Sequence, residues 1–162
     1  VRVEDVLALY TDLDAAGVPV RIDGGWCVDA LLGRETRPHP DLDLAVPREH
    51  VSALVALLST QGFAPRGEVG ATESNFVLDD GRGRAVDVHV FAFDADGAHV
   101  WGVAYPAASL TGTGVLAGQE VRCIAPEWMF RFKTAYPPAP KDRGDVRALA
   151  ERFGYEIPQS HR

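Results

Sequence analysis

The sequence predicts an α/β domain, α+β in its finer arrangement, with a mixed β-sheet flanked by helices. Three observations lead there. Apolar residues recur at helical spacing near both ends of the chain, while much of the middle alternates with period two. Gly or Pro punctuates nearly every change of period. At 162 residues and 46% apolar, the chain is long enough to bury a real core, and one domain over residues 1–162 is expected.

Each element has its own justification. Val3 to about Ala16 carries Val3, Val6, Leu7, Leu9, Tyr10 and Leu13 on a helical stripe that stops at Gly17. Val18 to Ile22 reads as a short strand running into Gly24-Gly25, and Trp26 to Leu32 as a short helix closed by Gly33. Leu42 to Val46 is a strand. Pro47 is expected to open a helix reaching about Thr60, with Val51, Leu54, Val55, Leu57 and Leu58 along its buried side. Ser74–Leu78 and Ala85–Phe91 flank the turn-rich Asp79-Asp80-Gly81-Arg82-Gly83 and form a hairpin. Leu116 to Ile124 reads as a second hairpin. A helix starts at Pro126, is broken by Pro137-Pro138-Ala139-Pro140, and a last helix runs from about Lys141 to Phe153. The helices from about residue 126 are expected to complete a cleft.

Composition narrows the partners. A formal net charge of −7 argues against duplex nucleic acid and favours, weakly, a cationic small molecule. Cys27 and Cys123 stand alone without CxxC spacing, so a reduced, cytoplasmic protein is expected. No apolar run approaches the roughly 20 residues that span a bilayer, and neither a membrane segment nor a signal peptide is expected.

The chemistry gathers in three places. Asp23-Gly24-Gly25-Trp26 opens a helix with paired glycines, where unpaired N–H groups and the helix dipole favour a phosphate. Asp41-Leu42-Asp43-Leu44 puts two carboxylates on one strand face and two leucines in the core. Ala85-Val86-Asp87-Val88-His89-Val90 alternates strictly, with Asp87 and His89 on the face opposite the valines. An acid and an imidazole are costly to bury unpaired, so that face is expected to open on a site. A third Asp beside the Asp41/Asp43 pair completes an acidic triad suited to Mg²⁺, to a general base, or to both.

Taken in order, Gly24-Gly25, Asp41-x-Asp43 and the separate-strand Asp87 resemble the nucleotidyltransferase superfamily that includes DNA polymerase β. The stretch from Asp23 through Leu31-Leu32-Gly33-Arg34, Thr36-Arg37 and His39 to Asp43 is similar to the small lincosamide and aminoglycoside 2″-nucleotidyltransferases. The similarity continues through Val86–Phe91, Tyr105–Gly112, Arg122-Cys123-Ile124 and the helix with Asp142 and Asp145. It implies the nucleotidyltransferase fold and transfer of a nucleoside monophosphate, AMP from ATP, to a hydroxyl of a small molecule such as an antibiotic of those classes, with release of pyrophosphate. By this resemblance Asp41 and Asp43 would hold Mg²⁺, and Asp87 would bind metal or activate the acceptor. Gly24 and Gly25 would approach the triphosphate, and Arg37 or Lys133 would neutralise it. His89 and Tyr136 are candidates for acceptor contacts. One departure stands out: Lys133-Thr134-Ala135-Tyr136 occupies the place of an expected His-Thr-Gly-Tyr or His-Ser-Gly-Tyr.

Other polar residues carry plainer expectations. Asp29 is expected to pair with Arg34 or Arg37. His39 either orients the carboxylates or steadies its loop, and His89 is either a site contact or a satisfied strand histidine. His50, His99 and His161 are expected on the surface, Trp26 and Trp128 in the core. Asp79-Asp80 and Asp94/Asp96 are expected in solvated loops. Two other functions are compatible with the motifs: a toxin-like nucleotidyltransferase acting on tRNA or protein, and a non-catalytic nucleotide-binding domain. The acidic balance argues against the first and the intact triad against the second. A homodimer through exposed edge strands is a further expectation.

Overall fold

The structure, a computed structural model, describes residues 1–162 and builds one eight-stranded mixed sheet with five α-helices. Helix α1 (Val3–Ala15) buries Val6, Leu9, Tyr10 and Leu13, the stripe that its spacing announces. Strand β1 is only Arg21–Ile22, although Val18 and Val20 ahead of it are also buried. Helix α2 spans Gly24–Leu32 and ends on Gly33 in the left-handed conformation. Strand β2 (Leu42–Pro47) leads through a 3₁₀ turn, Arg48–His50, into α3 (Val51–Thr60). Strands β3 (Ala64–Pro65), β4 (Asn75–Asp79), β5 (Ala85–Phe93) and β6 (His99–Gly102) follow. The chain then forms the hairpin β7 (Gly112–Leu116) and β8 (Gln119–Cys123), and ends with α4 (Pro126–Thr134) and α5 (Pro140–Phe153).

The sheet order is β3-β4-β5-β2-β1-β8-β7, with β6 pairing β5. Two pairs are parallel, β2 with β5 and β1 with β8; the others are antiparallel. The β2–β5 pair runs for six registered positions, from Leu42 opposite Val86 to Pro47 opposite Phe91. Leu42, Leu44, Val86, Val88 and Val90 are wholly buried, as their alternation predicts. They join a single core of 35 buried residues with Leu9 and Leu13 of α1 and Leu54 and Leu58 of α3. On the opposite face α2 crosses the sheet and packs on β7 and β2, with α4 and α5 beside it.

Several expectations need correction. Pro47 does not open a helix; it closes β2 with extended backbone, because pairing opposite Phe91 carries the strand one residue further. Of the five apolar residues expected along α3, only Leu54 and Leu58 are fully buried; Val51, Val55 and Leu57 are half-covered. The second hairpin begins at Gly112, four residues before Leu116, since Gly112–Leu116 is the strand that turns at Ala117-Gly118. The short strands β3 and β6 carry too few residues to show a period, and the sequence does not announce them. His161 is buried rather than exposed, because its Nε2 lies 3.0 Å from the Tyr136 carbonyl where the chain end folds back on α4. Trp26 is a core residue, whereas Trp128 is only half-covered. No helix is long and apolar enough to cross a membrane.

Leu44 sits at the centre of this arrangement, opposite Ile22 on one side and Val88 on the other. Leu44→Ala is expected to cost about 2–5 kcal/mol, read as a lower urea midpoint at unchanged m-value.

Candidate active site

The site starts from strand register. Asp43 and Asp87 are direct partners across the parallel β2–β5 ladder, and His89 lies two residues further on the same face. These three groups offer ligand atoms within 4.8 Å of one another. His89 Nε2 is 3.4 Å from Asp43 Oδ1 and 3.6 Å from Asp87 Oδ1. The Asn75 amide on β4 donates to Asp87 Oδ1 at 2.8 Å and so fixes one carboxylate oxygen. Asp41 lies one residue ahead of β2, half-buried at the cavity wall and outside that tight cluster.

Helix α2 brings its N-terminus to these acids. The backbone N–H of Asp23 donates to the Asp43 carbonyl at 2.9 Å, so the strand ladder delivers the helix start directly beside Asp43. Asp23 caps the helix: Oδ1 accepts from the Gly24 N–H at 2.7 Å, and Oδ2 accepts from the Tyr105 hydroxyl at 2.5 Å. The amides of Gly25 and Trp26 have no partner within the chain and remain free at the helix start. Both glycines are sterically obliged. A Cβ at Gly24, which has φ +58°, would overlap the Asp43 carboxylate, and one at Gly25 would overlap the His39 ring.

The electrostatics follow from the crowding of acids. Burial raises the Asp41 carboxyl above the usual range, and the charge of Asp43 adds to the rise while Lys141 opposes it. Burial likewise raises Asp87; His89 opposes and Asp43 reinforces. Burial alone would lower His89, but the hydrogen bond to Asp43 and the charges of Asp23, Asp87 and Asp43 outweigh it and lift its pKa to about 8. Negative charge in this corner therefore exceeds what His89 alone balances, which suits a cationic ligand.

The cavity above the acids measures about 650 Å³. Its sheet side presents Gly24, Gly25, Asp41, Asp43 and His89; its helical side presents Met129, Phe132, Lys133, Tyr136 and Asp142. Residues of α4 and α5 thus line the cavity opposite Asp41 and Asp43. Tyr105 is buried between the two walls, its ring edge-on to Phe132 at 5.9 Å.

These features fit a known group of proteins. The model of the aminoglycoside-2″-adenylyltransferase family matches residues 5–149. The chain belongs to that family. A 2″-aminoglycoside nucleotidyltransferase of Escherichia coli is 36% identical over 112 residues, 68% of this chain and 60% of that relative. The match thus spans about 60% of the length of that curated relative. The crystal structure of ANT(2″)-Ia in complex with adenylyl-2″-tobramycin superimposes with a TM-score of 0.76 at 28% identity, covering 94% of this chain and 89% of that one. A lincomycin-bound lincosamide antibiotic adenylyltransferase shares the fold, with a TM-score of 0.80 at 22% identity over 94% of this chain and 99% of that one. Family membership and the nucleotidyltransferase fold agree with the motif order.

Arg37 and Lys133 do reach the cavity, but neither is a free cation. Arg37 Nε and Nη2 bond Asp145 at 3.2 and 3.0 Å, and Lys133 Nζ lies 2.9 Å from Asp145 and 3.4 Å from Asp142. Tyr136 lines the cavity and donates to Asp142 Oδ1 at 3.2 Å. Asp29 pairs with neither Arg34 nor Arg37. Wholly buried inside α2, it meets His39 Nε2 at 2.6 Å and accepts from the Thr36 hydroxyl at 2.6 Å and its amide at 3.0 Å. The cause is burial: a carboxylate pointing inward takes the partners that fold over it, and Arg37 turns instead to the buried Asp145. His39 thereby steadies the loop that carries Asp41. The loop acids are not all free, because the Asp80 carboxylate accepts from Arg84 Nε at 2.7 Å. Asp94 and Asp96 are exposed, as expected.

Sequence reasoning missed Asp23 and Tyr105 as a capping pair, and Asp145 as the shared partner of two cavity cations. The spacing of Asp142 and Asp145, three apart on one helix face, was the available signal for the latter.

Two outcomes follow from this geometry. Gly24→Ala is expected to destabilise the protein by about 1–3 kcal/mol through the overlap and the left-handed backbone, measured by urea unfolding. Burial would raise Asp145, but its hydrogen bonds and charge contacts with Arg37 and Lys133 hold it below the usual carboxylate range. Its contribution to stability is therefore complete above about pH 4 and disappears as pH falls through the lowered value. Asp145→Asn should lose less stability than the wild type between about pH 4 and pH 2, read from urea midpoints across that window.

Proposed function

We propose that this protein transfers AMP from ATP to a hydroxyl of an aminoglycoside- or lincosamide-type antibiotic, with pyrophosphate as the second product. The observation that carries this is the placement of Asp43 opposite Asp87 in the strand ladder, with Asp43 itself against the α2 N-terminus and lining the cavity. The family supports the reaction class, and the antibiotics named for its relatives support the acceptor class.

The donor set fits Mg²⁺. Asp41, Asp43 and Asp87 supply hard oxygen ligands of the kind Mg²⁺ prefers. Asp41, Asp43 and Asp87 would hold it, and when bound it stabilises charge on the phosphate oxygens during transfer. The chain's own groups do the rest. The free Gly25 and Trp26 amides and the α2 dipole face the phosphates. Asp87, half-exposed and less acidic than usual, accepts the proton of the attacking acceptor hydroxyl. Met129, Phe132 and Tyr136 cover the acceptor from the helical side, with His89 and Tyr136 offering polar contacts. Acidic groups around the cavity suit an ammonium-bearing acceptor and repel a polyanionic backbone, so tRNA and other nucleic acids are not the acceptor. A reducing cytoplasm suits Cys27 and Cys123, both buried free thiols. The edge strand β7, with Val115 exposed, offers a surface on which two copies could pair.

The test is pyrophosphate release with each NTP and Mg²⁺ against aminoglycosides, lincosamides and no acceptor. Release that depends on acceptor, and that falls about a hundredfold or more in Asp41→Asn, Asp43→Asn and Asp87→Asn, is the expected result. Equal release with and without acceptor, or full activity in those variants, overturns it.

A further inference from the structure

Arg37 and Lys133 reach the cavity from distant parts of the chain, and a single carboxylate behind the wall holds both. Asp145 Oδ1 accepts from Arg37 Nε at 3.2 Å, and Oδ2 accepts from Arg37 Nη2 at 3.0 Å. The same Oδ2 lies 2.9 Å from Lys133 Nζ. The Asp145 side chain is 2% exposed and does not itself line the cavity, whereas Arg37 and Lys133 do. Three elements meet there: the loop between α2 and β2, helix α4 and helix α5.

Asp142 does not duplicate this role. It lies 3.4 Å from Lys133, but its oxygens also accept from the Ala139 amide at 3.1 Å and the Tyr136 hydroxyl at 3.2 Å, so it chiefly caps α5. Asp145 spends both oxygens on the two cavity cations. Fork-to-fork pairing fixes the plane of the guanidinium as well as its position. It leaves Nη1 with only a 3.4 Å contact to the Pro38 carbonyl.

We propose that Asp145 is a positioning residue for the nucleotide, aiming the Arg37 guanidinium and the Lys133 ammonium together at its phosphates. The assignment rests on the AMP-transfer reading for the identity of the anion. Two effects of removing the Asp145 charge oppose each other. Less negative charge near the cavity attracts an anion more strongly. Loss of the anchor frees two long side chains, whose ordering must then be supplied at binding, and leaves two like charges to repel. The anchor dominates, because a bidentate charged pair confers orientation that net charge does not.

The experiment measures binding of α,β-methylene-ATP with Mg²⁺ by calorimetry, without acceptor, at a temperature where every variant is folded. Asp145→Asn is expected to bind about tenfold more weakly or worse, the equivalent of about 1.4 kcal/mol. Asp145→Glu, which restores the charge, is expected to recover part of that loss and serves alone should the Asn variant not fold. In an Arg37→Gln/Lys133→Gln background, adding Asp145→Asn is expected to cost no further affinity. Unchanged or tighter binding by Asp145→Asn overturns the proposal, as does a further loss of similar size in the double background, or failure of the wild type to bind the analogue. A wild type that binds the analogue but transfers nothing to any acceptor refutes the reaction assigned above and leaves this binding test intact.

Discussion

Everything at this site depends on one parallel strand pairing. Opposite Asp43 on β2 stands Asp87 on β5, and nothing but backbone register puts them there. A slip of β5 by one residue would turn Asp87 and His89 into the core and bring its valines to the face that carries Asp43. The wholly buried Leu42, Leu44, Val86, Val88 and Val90 forbid that slip, so the apolar face of the ladder sets the geometry of its polar face. Helix α2 is then placed by the same ladder, through the bond from the Asp23 amide to the Asp43 carbonyl. Stability and chemistry here share one set of hydrogen bonds.

The second constraint is the treatment of charge. Four acids, Asp23, Asp41, Asp43 and Asp87, converge near the α2 N-terminus, with His89 as the imidazole among them. Across the cavity the order is different. Arg37, Lys133, Asp142 and Asp145 form a balanced quartet that ties the loop after α2 to α4 and α5. One wall thus carries unbalanced negative charge and the other carries cations whose orientation is already fixed. Such an arrangement gives a charged ligand a defined direction of entry, which a uniformly acidic cleft would not.

What was legible in the sequence had a local cause. The period-two alternation around Asp41, Asp43 and Asp87 follows from pleat geometry, and the paired glycines announce a close approach that Asp43 and His39 now explain. What was not legible depended on distant partners. Asp29 has arginines within eight residues, yet folding buries it under His39 and Thr36, and no spacing rule encodes that burial. Asp145 and Arg37 are 108 positions apart and meet only because α5 returns to the loop after α2. Pro47 carries a helix-start signal, but strand pairing holds it extended for one more residue. Asp41 shares the period of Asp43 but lies ahead of the strand, so the closest three-residue cluster includes His89 in its place.

Strand β1 is the narrowest part of the sheet. Only Arg21 and Ile22 link the leaf β3-β4-β5-β2 to the leaf β8-β7, antiparallel on one side and parallel on the other. The molecule is therefore a hinged book whose spine is two residues long, with α2 laid across the joint on β2 and β7. Asp43 and Asp87 lie on one leaf, while α4 follows directly from the other. The angle between the leaves therefore sets the distance from these acids to α4, independently of the pairs inside either leaf. The brevity of β1 thus leaves the bracing of the two leaves to α2 and to the shared core.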